Sequence, residues 1–178
     1  MQPELIVLIG FMGAGKSTIG RELSRRLGWR FVDLDRWVEK RERRRIAQIF
    51  ATDGEAAFRA METQALNTVI NERSGPLVLA LGGGAWIQPA NADRLKLEGA
   101  RVVFLDADID ELRSRCGSKA ARRPLFKDEN QFRRLHAARY QSYMQADVRI
   151  DTTGQSVTAV AKRLAELLQA GVTHDSQR

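Results

Sequence analysis

The chain has 178 residues, 43% of them hydrophobic and 29% charged, which gives room for one domain with a sizeable core and an ordinary globular composition. No apolar run approaches a membrane span, and a lone Cys116 beside only His136 and His174 excludes an internal disulfide and a zinc site. The formal charge of +7 admits two readings, a nucleic-acid surface or an arginine-rich protein that handles small anions.

Met1-Gln2-Pro3-Glu4 runs straight into an apolar strand pattern at 5–9, without the basic start and cleavage site of a signal peptide, so a reducing cytoplasm is expected. Gly10-Phe11-Met12-Gly13-Ala14-Gly15-Lys16-Ser17 follows, matching G-x-x-x-x-G-K-[ST] between that strand and a helix over about 16–28. Glycines let the backbone curl so that successive N–H groups face phosphate oxygens, and the helix start adds partial positive charge. Lys16 is expected to reach the β- and γ-phosphates, and the Ser17 hydroxyl to ligate Mg²⁺. No N-K-x-D segment for reading guanine is present, which favours ATP.

A second strand at 31–34 leads into helices through about 72. Asp33-Leu34-Asp35 closes that strand, where alternation sends residues two apart to one side, toward the cleft beyond the strand ends. Two readings stand: a pair of carboxylates serving a metal and a hydroxyl, or Asp35 as the cap of the next helix. The run Lys40-Arg41-Glu42-Arg43-Arg44-Arg45 falls in an amphipathic stretch and reads as a solvated helix face; no aromatic-interleaved basic strand accompanies it.

Further along come a strand at 77–81 ending in Gly82-Gly83-Gly84, a helix over about 90–98, a strand at 101–105 and a helix over about 109–116. A polar stretch at 117–128 carries Lys119, Arg122, Arg123 and Lys127 and reads as a surface loop. A helix over about 129–145, a strand at 148–151 and a helix over about 156–169 complete the pattern, with a polar tail at 171–178. Apolar strands alternating with helices argue for an α/β fold with a parallel sheet covered on both faces.

The stretch from Ile46 to Glu62, with Ile49-Phe50, Gly54-Glu55, Phe58-Arg59 and Glu62, closely resembles the shikimate kinase pattern I-x-x-I-F-x-x-x-G-E-x-x-F-R-x-x-E. With Gly13-Ala14-Gly15-Lys16-Ser17-Thr18, Asp33-Leu34-Asp35 and Gly82-Gly83-Gly84 it forms an ordered set, and the resemblance spans roughly 4–168. It implies a three-layer sandwich around a five-stranded parallel sheet of order 2-3-1-4-5. It also implies one kinase domain over 1–170, a substrate-binding region at about 33–62 and a lid at about 117–128.

Residue by residue, the resemblance implies that Arg59 binds the substrate carboxylate, with Glu62 one helical turn on holding its guanidinium. Asp35 would orient or deprotonate the nucleophilic hydroxyl, and Asp33 would hold Mg²⁺. Gly82, Gly83 and Gly84 would let the substrate ring lie against bare backbone. Arg123, in Arg123-Pro124-Leu125-Phe126, would swing in on the transferring phosphoryl group, and Arg139 would be a second substrate anchor with Tyr143 packing beside it. Gly13, Ala14, Gly15, Lys16, Ser17, Thr18, Arg115 and Arg123 would hold ATP, Arg115 being preferred over Cys116 for the adenine.

Three positions depart from the pattern: Gln141 stands where the family has proline, the spacing between Arg115 and Arg123 is one residue longer, and Val78-Leu79-Ala80-Leu81 lacks a serine. The reaction implied is ATP with shikimate giving shikimate 3-phosphate and ADP, in a monomer without nucleic-acid or membrane partners. The rival readings are a kinase for another hydroxylated acid, such as gluconate, or a nucleotide, and a non-catalytic metabolite sensor.

Overall fold

The apolar runs become five parallel strands, β1 (Leu5–Ile9), β2 (Arg30–Asp33), β3 (Leu77–Ala80), β4 (Arg101–Asp106) and β5 (Val148–Asp151), in the order β2-β3-β1-β4-β5. The computed structural model describes residues 4–117 and 128–169, so Arg123, most of the expected lid and the 171–178 tail lie outside the described residues. Central β1 pairs with β3 from Leu5 opposite Leu77 and with β4 from Ile6 opposite Arg101. It is no more than 1% exposed at any position. Burial on both faces explains why it reads as an unbroken apolar run.

Eight helices flank the sheet among the described residues: α1 (Lys16–Leu27), α2 (Leu34–Glu42), α3 (Ile46–Thr52), α4 (Gly54–Asn71), α5 (Pro89–Leu97), α6 (Ile109–Cys116), α7 (Glu129–Tyr143) and α8 (Val157–Gln169). α1 and α8 pack together, while α4 packs with α2, α3 and α5. The helical stretch read from 35 to 72 breaks twice. Arg43 takes a left-handed backbone (φ 53°) that ends α2, and Asp53 separates α3 from α4, which opens on Gly54 at φ 84°.

One boundary corrects the sequence reading at the site itself. β2 stops at Asp33 and α2 begins at Leu34, so Asp35 lies in the first helical turn rather than on the strand. The cap is Asp33, whose Oδ1 accepts from the Arg36 N–H at 3.2 Å. Strand alternation therefore does not explain how the two carboxylates come together. They do so because a strand end meets a helix start, with buried Leu34 and Val38 fixing the inward face of α2.

Candidate active site

The loop between β1 and α1 curls through positive φ at Gly10 (144°), Gly13 (85°) and Gly15 (86°), conformations that side-chain-bearing residues rarely adopt. Lys16 Nζ folds over it, donating to the carbonyls of Gly10 (2.7 Å) and Phe11 (3.0 Å). Phe11 packs edge-on against Phe132 and His136 of α7, with centroids 5.0 and 5.2 Å apart, which anchors the loop to the helix that carries Arg139. Sequence reasoning missed this contact. Residue x of a phosphate-loop motif has no required identity, so Phe11 carries no signal by itself.

The Ser17 hydroxyl donates to Asp33 Oδ2 in a short hydrogen bond. One hydroxyl and one carboxylate on adjacent elements, both oxygen donors, suit a hard cation that takes its remaining ligands from phosphates and water. Beside them, Asp35 lines a cleft of ≈ 940 Å³ with Gly13, Gly15, Lys16, Ser17 and Thr18. Arg115 also lines that cleft. Its guanidinium donates to Thr152 Oγ1 (3.0 Å) and the Thr152 carbonyl (2.7 Å), and it is paired closely with Glu111. Glu111 in turn accepts from the Gly154 N–H at 2.9 Å, joining α6 to the loop after β5. Cys116 by contrast is 6% exposed and its sulfur lies under Gly13.

The arginines expected on the substrate side gather at the triple glycine. Phe58 is 3% exposed and packs on Phe50 at 4.8 Å, which seats α4 and turns the adjacent Arg59 inward. Arg59 Nη1 donates to Glu62 Oε2 at 2.8 Å, and Nη2 reaches exposed Glu55 at 3.3 Å. The guanidinium lies so close to Gly84 that a Cβ there would meet Nη2 at 2.5 Å. At Gly82 a Cβ would meet Asp35 Oδ1 at 2.5 Å and Glu62 Oε1 at 2.6 Å, so these two carboxylates are neighbours. At Gly83 it would meet Arg139 Nη1 at 3.1 Å. The bare faces of Gly82 and Gly84 thus receive the protein's own charged side chains. Only Gly83 of the three lines the nucleotide cleft.

α7 runs unbroken through Gln141 to Tyr143, so the missing proline does not divert it. Arg139, 8% exposed, still arrives at Gly83. The Tyr143 hydroxyl donates to the Gly83 carbonyl at 2.5 Å, and Trp86 Nε1 donates to the Ser142 carbonyl at 2.9 Å, tying the end of α7 to the glycine turn. Burial pushes the Tyr143 phenol up to about 12, with Arg139 pulling the other way, so it remains a donor.

Burial likewise drives the Glu62 carboxyl up to about 7; Arg59 opposes the shift and nearby Asp35 adds to it. Gln88 Nε2 shares Glu62 Oε2 at 2.9 Å, a second partner that sequence reasoning did not find. It stands 26 residues away and belongs to no motif, so only the fold brings it in.

A family model described as shikimate kinase matches residues 12–169. The chain is 42% identical over 167 residues to a shikimate kinase of Geobacter metallireducens, covering 92% of this chain and 91% of that one. It is 44% identical over 177 residues to that of Streptomyces coelicolor, covering 96% and 100%. A solved shikimate kinase from Acinetobacter baumannii, in complex with shikimate, superposes with TM-score 0.87 at 34% identity, covering 95% of this chain and 94% of that one.

Proposed function

The chain belongs to the shikimate kinase family, and from that premise we propose how its site works. The protein is an ATP-dependent kinase that phosphorylates the 3-hydroxyl of shikimate. The observation that carries this reading is the convergence of Arg59, Glu62, Asp35 and Arg139 on the Gly82–Gly84 turn, with Asp35 and Gly83 also lining the cleft beside Lys16.

ATP lies in the cleft with its phosphates on the loop amides and the adenine end at Arg115. Lys16 leaves the Gly10 and Phe11 carbonyls to contact the β- and γ-phosphates. Arg59, beside Gly84, grips the carboxylate of shikimate with its planar fork, and Arg139, beside Gly83, supports the ring. Asp35 accepts the proton of the 3-hydroxyl as its oxygen bonds to the γ-phosphorus. The bond from that phosphorus to the β–γ bridging oxygen breaks, and ADP leaves. Ser17 and Asp33 would hold Mg²⁺, which would neutralise charge at the phosphate oxygens. Arg123, on the resemblance alone, completes the charge shell around the transferring group.

We assign these roles to a single kinase domain that acts as a cytoplasmic monomer without nucleic acid. No helix among the described residues is long and apolar enough to cross a membrane. Coupled measurement of ADP release with and without shikimate tests the reading, with Lys16→Ala as control. Shikimate-dependent release that vanishes in the variant is expected. Release that ignores shikimate would refute the acceptor assignment.

A further inference from the structure

A second cleft, of ≈ 680 Å³, opens at the corner between α2 and α3 and takes five cations, Arg36, Lys40, Arg43, Arg44 and Arg45, against one carboxylate, Glu39. We propose that this corner is a binding site for a compact oligophosphate anion, separate from the phosphoryl-transfer site.

Arg36, Lys40, Arg43 and Arg45 are exposed, as the solvated face read from the sequence requires, but the backbone gathers them at one corner. On a continuous helix Arg36, Lys40, Arg43 and Arg44, spaced i, i+4, i+7 and i+8, would share one face and Arg45 would point away. Instead Arg43 breaks α2 at φ 53°, and the chain doubles back so that 43–45 face the α2 residues Arg36 and Lys40 across one concavity. Arg43 is the one non-glycine residue with positive φ among the described residues. Strain of this kind collects where a side chain is needed in a fixed place.

One of the cations is held in position: Arg44 donates to Asp53 at 2.7 and 3.1 Å. Exposed Arg45 makes a single longer contact with Glu39 at 3.4 Å. Arg36, Lys40 and Arg43 carry no ion pair among the described residues. Like charges crowded into one cleft repel, and an anion of three or four charges relieves that repulsion.

The lining favours phosphate over nucleic acid. Guanidinium forks match phosphate oxygens bidentately, whereas a single strand needs an extended groove with stacking rings, and no aromatic side chain lines this one. Arg36 also lines the nucleotide cleft, and its N–H donates to Asp33, so the two sites abut.

The test is calorimetric titration of the whole chain with inorganic tripolyphosphate, the phosphate loop first saturated with ADP. One saturable equivalent per chain is expected, weakening as NaCl is raised. Lys40→Glu/Arg43→Glu should weaken it at least about tenfold, the loss expected from removing charge-assisted contacts, with kcat on shikimate unchanged. Arg43→Gly relieves the strained backbone, so it should bind tripolyphosphate less well at an equal or higher Tm. A merely structural Arg43 would change Tm and leave binding alone.

The proposal is overturned by the absence of saturable binding to the ADP-loaded chain, by equal binding to the double variant, or by equal competition from sulfate at matched ionic strength. RNA bound in place of tripolyphosphate and lost in the double variant would reassign the cleft to nucleic acid. The binding readouts do not depend on the identity of the phosphoryl acceptor, so their failure is distinct from failure of the kinase reading.

Discussion

Glu62 holds Arg59 with one oxygen only: Oε2 accepts from Nη1 at 2.8 Å, while Oε1, beside Asp35 and Gly82, is buried without a hydrogen-bond partner. A carboxyl that is 1% exposed and half-satisfied resists ionisation, which is why burial lifts it to about 7.

That shift has a definite sign for stability. Between the ordinary value of 4.5 and about 7, the folded chain keeps a proton that the unfolded chain has released. Raising the pH through this window therefore costs folding free energy, and the contribution levels off above it. Glu62→Gln cannot titrate. The difference in Tm between wild type and variant should shift in the variant's favour from pH 4.5 to 7.5. Parallel curves across that range would show that Glu62 ionises normally.

The Arg59 assignment is kinetic. Losing a charged hydrogen-bond donor to an anionic substrate is worth about 1.5–3 kcal/mol, so Arg59→Ala should raise the shikimate KM by about tenfold to a hundredfold. The KM for ATP should hardly move. Arg59→Lys should recover only part of the loss, because a point charge lacks the planar fork. An unchanged shikimate KM in the alanine variant would remove the residue from the substrate site.

Gly82 and Gly84 separate two effects that lie two residues apart. A Cβ at Gly84 meets the tip of Arg59, and one at Gly82 meets the tips of Asp35 and Glu62. These are the far ends of flexible side chains, so the fold can yield at small cost. Gly84→Ala should therefore act mainly on the shikimate KM and Gly82→Ala mainly on kcat, each with Tm nearly preserved. Large losses of Tm would mean instead that both glycines serve the backbone.

The contrast between motif and partner explains what the sequence could reveal. The phosphate loop, Arg59 and the glycine turn are tied to local patterns; the loop lines one cleft together with Gly83, and Arg59 comes up against Gly84. The strand pattern was equally legible because β1 and β3 are buried on both faces. The positions of Gln88, Trp86, Phe11 and Glu111 were not. Each contributes through a contact across elements, such as Trp86 reaching the Ser142 carbonyl 56 residues away, and such contacts leave no periodicity. The placement of Asp35 failed for a local reason: a β-to-α junction without any intervening turn residue gives no signal at which residue extension stops.

Asp33 has two tasks that one substitution can separate. Its Oδ1 caps α2 and its Oδ2 receives the Ser17 hydroxyl. Asparagine caps a helix about as well as aspartate does, so Asp33→Asn should leave Tm within a few degrees of wild type. The amide cannot supply a carboxylate to a cation. Turnover should therefore fall by about 10²-fold, the usual scale for one electrostatic contact, and saturation should need more Mg²⁺. Steady-state rates across a magnesium series would check this. If the half-saturating Mg²⁺ concentration stayed put while Tm dropped, Asp33 would be a cap and nothing more, and Ser17 would be left without a carboxylate partner for the metal.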